Sequence, residues 1–265
     1  QMPIPPRKQP DVPVALSYAQ QRQWFLWQLD PENNAYHIPA CLKLEGTLDI
    51  PLLETCFQAL ANRHESLRTC FRADDSGLAQ QIVMPDFTLP LTYEDVRTQA
   101  TPDAYAAEQI RHLLTQPFDL QQLPLIRVGI YQIADQQYLL GLVMHHIIAD
   151  GWSMQLLVNE LVQLYSSQQN VSQKRVSQNS GKTLTLTDSL AQLPTLPVQY
   201  ADYSQWQRHW MEAGEQQRQL DYWTEQLGKD REQPVLNLPT DHPRQPVPHY
   251  QTAEWDIRLP DSLTR

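Results

Sequence analysis

The sequence has few cysteines, little positive charge and no long apolar run, and each shortage excludes something. Cys41, Cys56 and Cys70 are three thiols, an odd number at wide spacing with no CxxC pair. They form neither a disulfide framework nor a zinc pattern, and they fit reduced, mostly buried thiols in a reducing compartment. Lys and Arg number 20 against 30 Asp and Glu, a formal net charge of −10. So acidic a chain has no electrostatic footprint for a phosphate backbone, and nucleic acid is excluded as an expected partner. Apolar stretches are too short to cross a bilayer, and QMPIPPRKQP at the N-terminus lacks the apolar core of a signal peptide, so no membrane partner and a cytoplasmic location are expected. There is no internal repeat, no HExxH, and no GxSxG elbow around Ser153.

What is present is long enough to bury a substantial core. Residues 1–15 carry Pro3, Pro5, Pro6, Pro10 and Pro13 and predict an extended lead-in. LSYAQQRQWFLWQL predicts a helix with Ser17 as N-cap, closed by the turn at Pro31. ACLKLEG (40–46) alternates as a strand does, and Leu53, Phe57 and Leu60 mark one face of the helix after it. RTCFR and AQQIV pair across Asp74-Asp75-Ser76-Gly77. PDAYAAEQIRHLLTQ is a further helix, and LIRVGIYQI and QYLLGLVMH form the clearest hairpin, turning at Ala134-Asp135-Gln136. The helix predicted after this hairpin is capped by Ser153 and buries Met154, Leu157, Val158, Leu161 and Tyr165. Strands and helices mixed with antiparallel neighbours predict an α+β sandwich, a mixed, mostly antiparallel sheet covered by helices, as the first lobe over 16–165. Polar, aperiodic 166–196 reads as a linker. A new lobe is expected over 197–265, opening on one long helix through Leu227 with Tyr203, Trp206, Trp210, Leu220 and Trp223 as packing residues, then a late strand in TAEWDIRLP. Trp24, Trp27 and Trp206 read as packing aromatics.

The chemistry sits in MHHIIADGWS, Met144–Ser153. HHxxxDG arises by chance in on the order of one in two thousand sequences of this composition, so it is informative before any relationship is invoked. If the strand runs through the pair, His145 and His146 point to opposite faces, and only one of them can be the working group. Opposite faces also exclude a shared metal ion. An imidazole, with a reference pKa of about 6.5, can take up and return a proton near neutrality. Asp150 suits a supporting role, holding the loop through hydrogen bonds or an arginine pair. Gly151 is read as a sharp turn lying close to substrate.

MHHIIADGWS resembles the HHxxxDG motif of condensation domains of nonribosomal peptide synthetases, within the chloramphenicol acetyltransferase-like superfamily. Three further stretches match in the expected order. They are LSYAQQRQWFLWQL, with Gln23 where leucine is usual; RHESLRTCF (Arg63–Phe71); and YADYSQWQR (Tyr200–Arg208), with Ser204 in place of alanine. PFDLQQLPLIRV and NLPTDHPR are family-like phrases as well. The resemblance implies a chloramphenicol acetyltransferase-like fold with two similar lobes, this chain covering the first and the beginning of the second. It implies peptide-bond formation between a carrier-bound acyl thioester and the α-amine of a downstream carrier-bound aminoacyl thioester, with His146 catalytic at the tunnel centre beside Asp150 and Gly151. His145 is then structural, Ser153 supports the site, and Arg63 becomes a candidate partner for the loop carrying Asp150, although at a helix end it also serves as a plain surface charge, as does Arg68. No bound cofactor or metal is implied, since phosphopantetheine arms of carrier partners bring both substrates, and an adenylation domain is an expected neighbour. NAYHIPACLKLEG and HHIIADGWS are similar to members taking an L-configured donor. Gly151 argues against an epimerisation relative, and the paired histidines argue against a heterocyclisation relative. A coenzyme A-dependent acyltransferase and a catalytically silent carrier-recruiting domain are the alternatives. Gln1 in place of Met, and LPDSLT read as a helix start, suggest a piece of a longer chain. In the family an arginine from the later region pairs with the motif aspartate, so the piece alone is expected to be incomplete.

Overall fold

The computed structural model describes residues 3–10, 12–177 and 193–228, with Leu236, Pro239, Asp241, Pro243 and Ser262. Two compact units divide the chain, 1–216 and 217–265. The first contains β1 (Val14–Ala15), α1 (Tyr18–Leu29), β2 (His37–Glu45), α2 (Ile50–Arg63), a 3-10 turn (Glu65–Arg68), β3 (Thr69–Ala73), β4 (Ala79–Val83), β5 (Leu91–Asp95), α3 (Pro102–Thr115), β6 (Ile126–Ala134), β7 (Gln137–His145), α4 (Gly151–Ser177) and α5 (Tyr200–Trp210).

Ser17 does cap α1: its hydroxyl accepts from Gln20 N–H while the Gln20 side chain accepts from Ser17 N–H, a reciprocal box that satisfies two otherwise orphaned donors. The strands form two sheets, β1-β4-β3 and β2-β7-β6-β5. All pairs are antiparallel except β5 with β6, which α3 connects. The expected α+β architecture is therefore present, as a mixed and mostly antiparallel arrangement. β6 and β7 are central strands, and both are buried along nearly their whole length because each face of the sheet is covered. On one face Ile126, Val128, Ile130, Leu140 and Leu142 join the main core with Leu53, Phe57 and Leu60 of α2 and Leu157, Leu161 and Leu164 of α4. On the other, α3 sets Ala106 and Ile110 against Tyr131 and Ile133.

That second face depends on a missing side chain. A Cβ placed on Gly141 in β7 would lie 2.9 Å from Cγ2 of Ile110. Gly141→Ala is therefore expected to destabilise the fold by about 1–3 kcal/mol, the usual cost of overpacking, measured as a lower urea midpoint with an unchanged slope.

Three boundaries differ from the sequence reading. First, α4 continues to Ser177, so residues 166–177 of the expected linker are helical, while 178–192 lie outside the described residues. SSQQNVSQKRVS lacks an apolar period but contains no Gly or Pro, so no residue type in it breaks the helix. Second, α5 belongs to the first unit, so the division falls at Gln216 rather than before 197. Ser204 Oγ donates to the Ala15 carbonyl and Arg208 Nε to that of Leu16, which fastens α5 to β1. Third, the expected long helix breaks at Gly214, whose φ of 113° no helix accommodates. In the second unit, α6 (Gln216–Leu227) leaves Leu220 and Trp223 exposed rather than packed. The expected late strand in TAEWDIRLP lies outside the described residues. Trp24 is buried, 5.0 Å from Trp27, and Trp206 stacks on Trp210 at 5.4 Å, as packing aromatics should.

Candidate active site

β7 stops at His145, where the ladder to β2 ends at the pair His37↔His145. His146 already belongs to the turn, so its direction is set by the loop rather than by strand alternation. His146 N–H donates to the Tyr36 carbonyl at 2.8 Å, and Ile148 N–H closes a turn on the His145 carbonyl at 3.1 Å. Ile147, Ile148 and Ala149 are buried, which anchors the loop in the core.

The two imidazoles end in opposite environments. His145 is 3% exposed, packed among His37 and Phe118, and its Nδ1 accepts the Ile147 N–H at 3.0 Å. Burial pushes its pKa down to about 3, helped by His37 and His146, so the ring is neutral. His37 is also lowered, chiefly by burial. Below about pH 6.5 an unfolded histidine takes up a proton that the folded His145 ring refuses. Stability is therefore expected to fall on acidification by on the order of 1 kcal/mol per pH unit, with the loss ending near pH 3. Urea unfolding between pH 7 and 4 should show a shallower loss in His145→Leu than in the unsubstituted protein.

His146 is exposed. Its Nδ1 lies 2.8 Å from the Ala149 carbonyl oxygen, which can only accept, so Nδ1 carries the proton and the Nε2 lone pair is left for a partner. Asp150, also exposed, caps α4: Oδ1 accepts from Ser153 N–H at 2.8 Å and from Ser153 Oγ at 2.6 Å. These two bonds, with a smaller contribution from His146, hold the Asp150 carboxyl below its ordinary range. The cap is thus Asp150, and Ser153 is its donor inside the first turn, the reverse of the sequence reading.

Gly151 also departs from expectation. It is the first residue of α4, it is absent from the glycines with positive φ, and a Cβ built on it meets nothing within 4 Å. No sharp turn requires glycine here, and the added space faces outward. Trp152 beside it is 80% exposed.

Arg63 does not reach the Asp150 loop. Its guanidinium donates to both carboxylate oxygens of Glu160 in α4 and to the Pro194 carbonyl, and His64 Nε2 lies 2.6 Å from the same Glu160. Neither the free-surface reading nor the loop-partner reading of Arg63 holds. Arg68 donates to the Met84 carbonyl. Glu160 escaped sequence reasoning because it lies 97 residues from Arg63 on an otherwise apolar helix face. Gln20 was missed as well: its Nε2 lies 3.4 Å from the Ile147 carbonyl. Its only signal was its place in SYAQ.

Among the described residues no group of three or more His, Cys, Asp and Glu could hold a metal ion, and no helix is long and apolar enough to cross a membrane. A cavity of about 1090 Å³ lies between the N-terminal segment, β1 and α5, walled by Arg7, Trp206 and Trp210 among others; His146, Asp150 and Gly151 are not on its wall. Lys8, Asp202, His209 and Glu212 also line it, with Asp202 tied to Arg7, but the wall carries none of the motif residues, and the exposed imidazole of His146 is the candidate reactive group.

Residues 12–180 match the family model described as Condensation domain. A linear gramicidin synthase polypeptide of Brevibacillus parabrevis is 39% identical over 262 residues, covering 96% of this chain and 3% of that protein. Phosphinothricin tripeptide synthetase PhsC of Streptomyces viridochromogenes is 37% identical over 265 residues, 98% of this chain and 22% of its own length. The chain thus spans a small part of the curated relatives it matches. The starter condensation domain of rhizomide synthetase shares the fold at a TM-score of 0.66 with 22% identity, over 83% of this chain and 49% of that one. A mutant of that domain in complex with C8-CoA is 28% identical, with a TM-score of 0.56 over 59% of this chain and 36% of that one.

Proposed function

We propose, from the premise that this chain belongs to the condensation domain family, that it forms an amide bond between a carrier-bound acyl thioester and the α-amine of a second carrier-bound aminoacyl group. The observation that carries this reading is the exposed His146 ring, with Nδ1–H tied to Ala149 and Nε2 without a partner among the described residues. The amine attacks the thioester carbonyl, the C–N bond forms, the C–S bond breaks, and the nitrogen proton ends on the departing sulfur. An α-amine with a reference pKa of about 8 is partly neutral already, so it needs little activation to attack. His146 Nε2 instead orients the amine and takes the proton that builds up on nitrogen in the tetrahedral intermediate, then returns it to the thiolate. Asp150 acts at one remove by fixing the start of α4 and the end of the loop. Gly151 follows Asp150 as the first residue of α4 and lies beside the proposed site, where a Cβ would meet no other atom within 4 Å.

The substrates arrive on phosphopantetheine arms, so the partners are upstream and downstream carrier domains, with an adenylation domain in the same assembly and a cytoplasmic setting. An L-configured donor is the expected stereochemistry. A second reading, acyl transfer from free coenzyme A, is favoured by the C8-CoA complex of the related starter domain. Supplying the intact protein with an acyl-carrier thioester, or with the matching acyl-CoA, and an aminoacyl carrier separates the two. Amide product at least tenfold faster from the carrier thioester supports the first reading. Equal rates support the second, and carrier binding without any product would leave a recruiting domain.

A further inference from the structure

We infer that Gln20 is a positioning residue for the reaction at His146: with His145 it grips Ile147, the residue next to the acting histidine, from both sides. The inference rests on the proposed role of His146. Ile147 is 3% exposed, so its backbone groups must find partners in the protein. Its N–H donates to His145 Nδ1 at 3.0 Å, and its carbonyl faces Gln20 Nε2 at 3.4 Å. The first is an i to i+2 bond, the imidazole counterpart of an Asx turn, and it needs a neutral acceptor at position 145. The second ties the loop to α1, 127 residues away in sequence.

Gln20 cannot turn its amide round without loss. It is 4% exposed, and its Oε1 accepts from Ser17 N–H at 3.0 Å and from Gln81 Nε2 at 3.3 Å. Ser17 N–H can only donate, so the oxygen must face it and the NH₂ must face Ile147. Gln81 in turn donates to the Ala15 carbonyl at 3.1 Å. One buried amide thus joins the start of α1, β4 and the loop. Gln20 and His145 are both buried, and their hydrogen bonds are with the protein's own groups. The effect of this arrangement is on where the His146 ring sits, and a displacement of about 1 Å at a reacting group costs roughly a hundredfold in rate.

The test measures steady-state amide formation by the intact protein with loaded donor and acceptor carriers, alongside thermal unfolding of each variant. Gln20→Met keeps length without polar atoms; Gln20→Glu keeps acceptors for Ser17 and Gln81 but has no donor for Ile147. The 3.4 Å contact is longer than a typical bond, so both should lower kcat by roughly tenfold, with KM for either carrier within about twofold. His145→Leu should lower kcat by roughly a hundredfold, and His145→Asn, which restores an i+2 acceptor, should recover most of it. If Gln20→Met does not fold, Gln20→Glu decides. Unchanged kcat in the folded Gln20 variants, or equal kcat for His145→Leu and His145→Asn, overturns the inference. Full activity in His146→Ala would instead overturn the assignment of His146.

Discussion

His146→Ala is expected to slow amide formation by between about a hundredfold and ten-thousandfold, the range that a positioned general acid–base contributes. Folding should barely change, because the ring is exposed and its removal opens no cavity; a stability difference within about 0.5 kcal/mol is the surface norm. The two measurements belong together. Loss of rate with an unchanged unfolding transition assigns the effect to chemistry, whereas a parallel loss of both would make the imidazole a structural group. His146→Gln refines the result, since an amide can hold the amine by a hydrogen bond but cannot carry a proton. Near-normal turnover in that variant would remove proton transfer from the account and leave orientation as the whole contribution.

Arg7→Met should destabilise the first unit by about 3–5 kcal/mol, a large share of the stability of any domain. Arg7 comes from the proline-rich lead-in, yet its side chain is 5% exposed, with Nη2 2.6 Å from Glu65 and Nη1 2.8 Å from Asp202. Burial works against its charge, and the two carboxylates more than offset this, raising its pKa. Removing the guanidinium leaves two largely buried carboxylates facing each other without their cation, which costs far more than losing a surface pair. Adding Glu65→Gln and Asp202→Asn to Arg7→Met should recover part of the loss, because the penalty is the stranded charge rather than lost contact area. Urea unfolding of the single and triple variants measures this, and a single-variant loss below about 1 kcal/mol would place Arg7 among ordinary surface charges. The pair also explains why the lead-in, extended as its prolines dictate, still lies against the lobe.

Much of this molecule was legible in advance. The β6–β7 hairpin, the Ser17 cap, the β3–β4 pair and α3 all follow from local signals: an apolar period, a turn, a capping residue. Such signals work because strand alternation and helix capping are decided within a few residues. Where the reading failed, the deciding partner was distant or the signal weak. α4 ran past Tyr165 because an aperiodic stretch without Gly or Pro carries no stop signal, while Ser153 lost the capping role to Asp150 because two candidate caps stood in the same turn. Glu160, which takes both Arg63 and His64, had nothing local to mark it.

The sequence by itself singled out the candidate site, since a pair of histidines followed by aspartate and glycine at the end of an apolar strand is a chemical pattern that can be read without coordinates. It also determined the mixed sheet, because alternation and turn residues are local properties. Only the tertiary structure decided which imidazole meets solvent and which is kept neutral inside, for that depends on where β7 stops against β2 and on how His37 and Phe118 pack around His145. Burial and hydrogen-bond partners are created by residues far apart in the chain, and they set proton affinity and orientation; neither exists until the fold brings those residues together.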